Sequence, residues 1–250
     1  MIDRRFQDRD AALSLWIRRL DVRSPMTDDD QRTIMNFQGR LEEFRPGRDI
    51  VRLGERTRQV QLIVRGTVAR FGQVRDGNRQ FTAFFISGDI ADLHSAVMPV
   101  VSAPLQATGP VLLYRIPHEE IVAATDRSPT LARAFWRDCV ADSQVAAEWL
   151  INIGQRDALT RLAHLLCELG CRYRAAGFPP GEFPLGLTQS ELGAALGLTG
   201  VHVNRMMRRL RDEGLIGPTN GHVEILDWSG LARAGEFHPG YLHLEQETDR

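Results

Sequence analysis

The stretch that most constrains the fold of this chain is residues 188–216, TQSELGAALGLTGVHVNRMMRRLRDEGLI. Thr188-Gln189-Ser190-Glu191 fits a capping box, in which the threonine side chain accepts one orphan N–H of a helix and the glutamate reaches back to another. A short helix is therefore predicted from there to about Leu196. Gly197 supplies a turn at positive φ, Thr199 caps a second helix, and Gly214 stops it. Two short helices joined by a tight glycine turn form a helix-turn-helix. At 100° per residue, Val203, Met206, Met207 and Leu210 share one side of the second helix and can pack on Leu192, Ala195 and Leu196. Val201, Arg205 and Arg208 point the other way, flanked by His202, Asn204 and Arg209. Leu215-Ile216 and Val223 to Leu226, around Asn220-Gly221, read as a small β-hairpin beside the pair, the wing of a winged helix.

Such a motif places its second helix, N-terminus first, in the DNA major groove. Arg205 has the length and the fork to meet guanine O6 and N7, Gly200 allows close approach, and Val201 can touch a thymine methyl. His202 and Asn204 can hydrogen-bond a base edge or a phosphate, and Arg208 and Arg209 lie where phosphates would set register. With the capping Thr199, these residues are the candidate contacts to double-stranded DNA. The alternative for any one arginine cluster is a solvated helix face; caps, turn, wing and stop in order favour DNA.

The rest of the composition neither adds to this nor opposes it. The net charge of −1 requires any affinity for nucleic acid to come from a local patch. All 31 basic residues are arginine, which reads as a codon bias toward G and C, although arginine also suits bidentate contacts. No run approaches the roughly 18 to 20 apolar residues of a membrane helix, and Met1-Ile2-Asp3-Arg4-Arg5 lacks the apolar run of a secretion signal, so a cytoplasmic location without membrane contact is expected. Cys139, Cys167 and Cys171 form neither an even framework nor a CxxC pair; they are expected to be reduced thiols packed as small apolar residues.

Hydrophobic period changes twice along the chain. A helix over Ala11 to Leu20 precedes a second, for which Thr27-Asp28-Asp29-Asp30 supplies N-cap candidates and first-turn acids, expected to reach about Leu41. From Phe44 to Pro117 short apolar runs alternate with glycines, as in a compact sandwich or barrel, with Asp76-Gly77 as a hairpin signal. Ser128-Pro129 then opens a long helix to about Ile153. Ala132, Trp136, Cys139, Ser143, Ala146, Leu150 and Ile153 recur at spacings of four and three, a narrow seam read as a homodimer interface. A further helix, Arg156 to Ala175, ends before Pro179-Pro180-Gly181. The expected division is 1–126 for the N-terminal helices and sensor, 127–155 for the dimerisation helix, and 156–250 for the winged helix-turn-helix.

Over nearly its whole length the chain resembles the Crp/Fnr family of bacterial transcription regulators, most specifically at Leu187 to Ile216, with Thr188 to Gly193, Val203-Asn204-Arg205 and Leu210 to Ile216. The resemblance implies an α+β protein: an N-terminal β-roll (a jelly-roll-like double-stranded β-helix), a long dimerisation helix and a C-terminal winged helix-turn-helix. It implies a homodimer on an inverted-repeat operator, with Arg205 at the family's base-contacting arginine. Gly200-Val201 replaces the Arg-Glu pair by which cyclic-AMP receptors read their operator, and Asn204 stands where they have glycine. RNA polymerase and a small-molecule effector are further partners the resemblance leaves open.

The effector pocket departs from the family. The ribose-binding Gly-Glu-Leu turn corresponds to Ala91-Asp92-Leu93, and the phosphate-binding Arg-Ser/Thr-Ala to Val101-Ser102-Ala103. Asp92, Leu93 and Ser102 are therefore the candidate pocket residues, but Val101 offers no cation to a buried phosphodiester, which would cost several kcal/mol. Control by cyclic AMP is not expected. Nor is an iron–sulfur cluster, since no cysteine precedes Cys139, nor haem, for which only His94 and His118 are available. Asp92-Leu93-His94-Ser95 is not read as a hydrolytic triad, because neighbours in sequence diverge in direction. An enzyme is not expected. The alternative function is a ligand-binding signalling module acting through protein partners.

Overall fold

The structure, a computed structural model, describes residues 9–218 and 221–244. Over these the chain divides into two compact units, one of residues 9–71 and 84–143, the other of residues 72–83 and 144–243.

The first unit begins with α1 (Arg9–Arg23) and α2 (Asp28–Met35). Thr27 and Asp30 form a reciprocal capping box at the start of α2. That helix ends six residues before the expected Leu41: the Asn36 N–H turns back to the Arg32 carbonyl, and Gly39 leads into β1 (Arg40–Phe44). A methyl at Gly39 would lie 2.6 Å from the Arg115 carbonyl oxygen, so close strand pairing, which helical periodicity does not report, ends the helical region here. There follow β2 (Asp49–Val51), β3 (Gln59–Arg65), β4 (Val68–Gln73), β5 (Arg79–Phe85), a single 3-10 turn (Leu93–Ala96), β6 (Leu105–Ala107) and β7 (Val111–Pro117). The strands form two sheets, in the orders β1-β7-β3 and β2-β6-β4-β5. This is the β-roll.

β7 runs into α3 (His118–Arg127), an element the periodicity passed over although Pro117 and the acids Glu119 and Glu120 announce its first turn. Then α4 (Pro129–Gln155) begins, with the Ser128 hydroxyl accepting the Leu131 N–H at 3.2 Å. Trp16, Leu13 and Leu20 of α1 pack with Ile34 of α2, Val60, Leu62 and Val64 of β3, and Leu131 and Phe135 of α4 in one core. Trp16 stacks on Phe135 with centroids 5.2 Å apart. Burying a side chain of this class contributes about 1.5–3 kcal/mol. Beside the core, Arg19 bridges Asp89 and Asp138, and Arg23 also pairs with Asp138, so both buried aspartates have cations from α1.

In the second unit the end of α4 is followed by α5 (Ala158–Ala175), whose N-cap Asp157 accepts from the Leu159 and Thr160 N–H groups at 2.9 and 3.0 Å. Then come β8 (Glu182–Pro184), α6 (Gln189–Leu196), α7 (Gly200–Asp212), β9 (His222–Glu224), α8 (Trp228–Ala234) and a closing 3-10 turn (Pro239–Leu242). The expected hairpin is present: Ile216 bridges Ile225, with the Gly217 N–H donating to the Glu224 carbonyl at 2.8 Å and the Leu226 N–H to the Leu215 carbonyl at 3.0 Å. A further strand joins it, Val223 of β9 pairing with Phe183 of β8, a buried aromatic stacked on Tyr173 of α5 at 5.4 Å. Asn220 of the expected turn lies outside the described residues.

The helix-turn-helix depends on one close approach. A methyl at Gly193 in α6 would sit 2.5 Å from the Leu198 carbonyl oxygen, whereas one at Gly200 would meet nothing nearer than 3.5 Å. Gly193→Ala is expected to cost about 1–3 kcal/mol, the range of overpacked sites, and Gly200→Ala to stay within about 0.5 kcal/mol. Urea unfolding of the two variants checks the contrast; equal midpoints would contradict it.

Candidate nucleic-acid interface

Thr188 and Glu191 form the capping box of α6: the Thr188 N–H donates to Glu191 Oε2 at 2.7 Å, and the Glu191 N–H to Thr188 Oγ1 at 3.2 Å. Gly197 ends the helix at φ 65°, ψ 36°, left-handed geometry that favours glycine. Thr199 then caps α7, its hydroxyl accepting the His202 N–H at 3.2 Å. Val203, Met206, Met207 and Leu210 are buried where α7 packs on α5 and α6.

The opposite side is open. Val201 is 82% exposed, and Arg205, Arg208 and Arg209 are exposed along the same helix. They are not equivalent. Arg209 donates from Nε to Glu213 Oε1 at 2.8 Å, an i,i+4 pair, while Arg205 and Arg208 carry no salt bridge among the described residues. His202 is half-buried, and Asn204 donates from Nδ2 to Gln189 Oε1 at 3.1 Å. That contact ties α7 to the first residue of α6. Spacing within one helix does not report the Asn204–Gln189 contact, which joins two helices. The unpaired N–H groups at the start of α7 add partial positive charge where an anion would approach.

On α4 the outward face is shifted from the expected seam. Trp136 and Leu150 are 73% and 74% exposed, and Ser143 is also open. Cys139, Ala146 and Ile153, however, are only partly exposed, and Cys139 packs against the core. Val140, Ala147 and Gly154 stand on the outward face in their place. Both stripes have the same four-and-three spacing and small residues. What separates them is the buried side, Leu131, Phe135, Asp138, Val145 and Trp149, which only the tertiary packing reveals. Burial, with Asp138 and Asp142 nearby, pushes the Cys139 thiol up to about 12.

The effector candidates do not share one open pocket. Asp92 and Leu93 are buried and Ser102 is exposed. Asp92 Oδ1 accepts the Gln61 backbone N–H at 2.7 Å, while its Oδ2 is buried without a hydrogen-bond partner. Burial pushes this carboxyl up to about 7, against the opposing pull of the Gln61 N–H and of Arg70 and Arg115. Arg70 is itself occupied, donating to the Ala91 carbonyl and to Asp142 of α4, both at 2.7 Å. Burial also lowers His94 and His118. His118 Nε2 lies 2.9 Å from Ser95 Oγ, but the ring is held by the Gln59 backbone rather than by a carboxylate, and Ser95 is buried, so the pair is structural. Among the described residues no cluster of His, Cys, Asp or Glu is arranged to hold a metal ion, and no helix is long and apolar enough to cross a membrane.

Comparison with known proteins matches both units. The cyclic nucleotide-binding domain profile covers residues 41–128 and the Crp-like helix-turn-helix profile residues 160–234. The fumarate and nitrate reduction regulatory protein of Shigella dysenteriae is 23% identical over 79% of this chain and 79% of its own. That of Vibrio cholerae is 24% identical over 77% of each. Among solved structures, FixK2 from Bradyrhizobium japonicum superposes with a TM-score of 0.72 at 22% identity, covering 79% of this chain and 97% of that one. A CRP/FNR-family transcriptional regulator from Thermus thermophilus gives 0.57 at 20%, covering 79% and 98%. The β-roll, the long helix and the capped helix pair with its exposed arginines have their counterpart in one family, and the chain belongs to it: the Crp/Fnr transcription regulators, with a cyclic nucleotide-binding domain ahead of a helix-turn-helix DNA-binding domain.

Proposed function

We propose that this regulator acts in the cytoplasm as a homodimer on an inverted-repeat operator, and that cyclic AMP does not control it. Residues 1–126 would sense, 127–155 dimerise and 156–250 bind DNA. One observation carries the reading: the apolar side of α7 is buried while Val201 and Arg205, on its first turns, face solvent. Arg205 would read guanine and Val201 a thymine methyl, with Arg208 on phosphate. Thr199 and Arg209, already engaged by the His202 N–H and by Glu213, would contribute position more than readout. Helices from a twofold dimer would enter successive major grooves with half-site centres about 10 bp apart. Independence from cyclic AMP is supported by Val101 in the cation's place, by the burial of Asp92 and by Arg70 being held by Asp142.

Selection of random duplex DNA by the purified, ligand-free protein tests this: an enriched inverted repeat is expected, and failure to retain any duplex at low salt would overturn it. On the selected operator, Arg205→Ala is expected to remove about 1–3 kcal/mol of discrimination, and Arg208→Ala to weaken all duplexes alike while reducing the salt slope by about 1. Competition binding at several salt concentrations separates the two, and equal loss of specificity in both variants would refute the division of roles.

The exposed face of α4 supports the dimer. Trp136→Glu with Leu150→Glu is expected to shift the protein to monomer at micromolar concentration by sedimentation velocity, with circular dichroism unchanged.

Asp92 supplies a pH test. Its folded carboxyl titrates about 7, above the unfolded value of about 3.9, so the folded state holds a proton that the unfolded state has lost between those values. Stability from this group is full below about pH 4 and falls as pH rises through about 7. Asp92→Asn, which keeps the acceptor for Gln61, is expected to gain stability over wild type as pH rises from 5 to 8 in denaturant titrations. A constant difference would contradict the assignment.

A further inference from the structure

The segment after α8, residues 235–244, lies beyond the helix-turn-helix profile, which ends at residue 234. It is nevertheless packed into the second unit, with Phe237 and Leu242 buried. Its two ends reach α4 and the residue just after it. Glu236 Oε2 lies 3.6 Å from Arg156 Nε, and His243 Nε2 meets Gln144 Oε1. Gln144 and Arg156 are about 18 Å apart at the helical rise of 1.5 Å per residue, so the segment runs beside three turns of helix.

Between its ends the segment grips α5. The His164 ring meets Phe237, edge-on at 5.2 Å, and Tyr241, stacked at 5.8 Å, and those two rings also touch, edge-on at 6.1 Å. His164 Nδ1 donates to the Gly235 carbonyl at 2.9 Å, and its Nε2 is 3.1 Å from the Tyr241 hydroxyl. That hydroxyl donates to Glu168 Oε2 at 3.0 Å, and the same oxygen accepts Trp149 Nε1 of α4 at 2.8 Å. Arg172 holds the other oxygen at 3.2 Å. One buried carboxylate thus joins α4, α5 and the segment.

Backbone conformation gives an independent observation. Among the described residues, the non-glycine residues with positive φ are Glu236 and His243, at 48° and 49°. Left-handed backbone at such residues is unfavourable and persists where surrounding contacts over-determine it. Here both lie at the points where the segment reaches α4 and its end.

We propose that residues 235–244 are a strap that fastens the last three turns of α4 to α5, with Tyr241 as a positioning residue that fixes how the helix-turn-helix is carried on the long helix. The consequence for operator binding rests on the function proposed above: an inverted repeat is bound tightly only if both helix-turn-helix modules are held at the required spacing, so a slack junction lowers the effective concentration of the second.

The test compares the full-length protein with Tyr241→Phe and with a chain ending at Ala234. Amide hydrogen exchange across residues 144–155 is expected to speed up at least tenfold in the shortened chain and severalfold in Tyr241→Phe, with α6 and α7 unchanged. Affinity for a selected inverted repeat should fall at least tenfold in the shortened chain, and affinity for a single half-site should hold. Unchanged exchange in 144–155 in Tyr241→Phe, or an equal rise in α6 and α7, would overturn the strap. The expected exchange with unaltered operator affinity would overturn its role in DNA binding. Wild-type protein that retains no duplex would sink the DNA reading alone, because exchange still decides the strap.

Discussion

Glu168 has none of its surface in water. A bare carboxylate there would cost several kcal/mol, so the second unit must bring donors to it. Trp149 arrives from α4, Tyr241 from the segment after α8 and Arg172 from the next turn of α5. Satisfying one anion thereby brings three parts of the chain to one place. The helix that carries Glu168 is also the platform on which α6, α7 and α8 pack. Val201 and Arg205 have a defined direction only because α7's apolar side is seated on that platform.

The first unit uses charge in the same way. Asp89 and Asp138 are buried against Arg19 and Arg23 of α1, and Asp142 is held by Arg70 of β4, which also binds the Ala91 carbonyl. Arginine suits these places because its planar fork can serve two acceptors at once. The turn at Ala91 and Asp92 is bonded to its strand neighbour Gln61, whose carbonyl accepts the Ala91 N–H at 3.1 Å. Asp92, with one oxygen on the Gln61 N–H and the other unpartnered, is closer to a proton-holding acid than to a ligand-binding carboxylate.

Local chemistry was legible in the sequence, and tertiary chemistry was not. The capping box of α6, the Gly197 turn and the apolar face of α7 could be read from residue type and spacing, because each is decided within a few residues. The end of α2 could not, since it is set by Gly39 meeting Arg115 some seventy-five positions away. The outward face of α4 could not either: two small-residue stripes satisfy the same spacing, and only the partners of Phe135 and Trp149 choose between them. β8 was hidden for a related reason, as the buried ring of Phe183 adds a strand to the hairpin that the turn residues announce. For Asp92 and Ser102, family resemblance said nothing of burial, which differs sharply between them.

The exposed valine at the start of α7 has a chemical meaning of its own. A β-branched side chain keeps essentially one rotamer in a helix, so Val201 offers a rigid apolar knob where many readers of the groove place a flexible polar group. In the proposed complex such a knob recognises a methyl group rather than a base, and it does so without charge, beyond the reach of salt. Thymine carries that methyl by birth, but cytosine acquires it at the same ring carbon when modified. At that position of the operator, an unmethylated cytosine and a methylated one would be different letters to this protein, and the methylated one would resemble thymine.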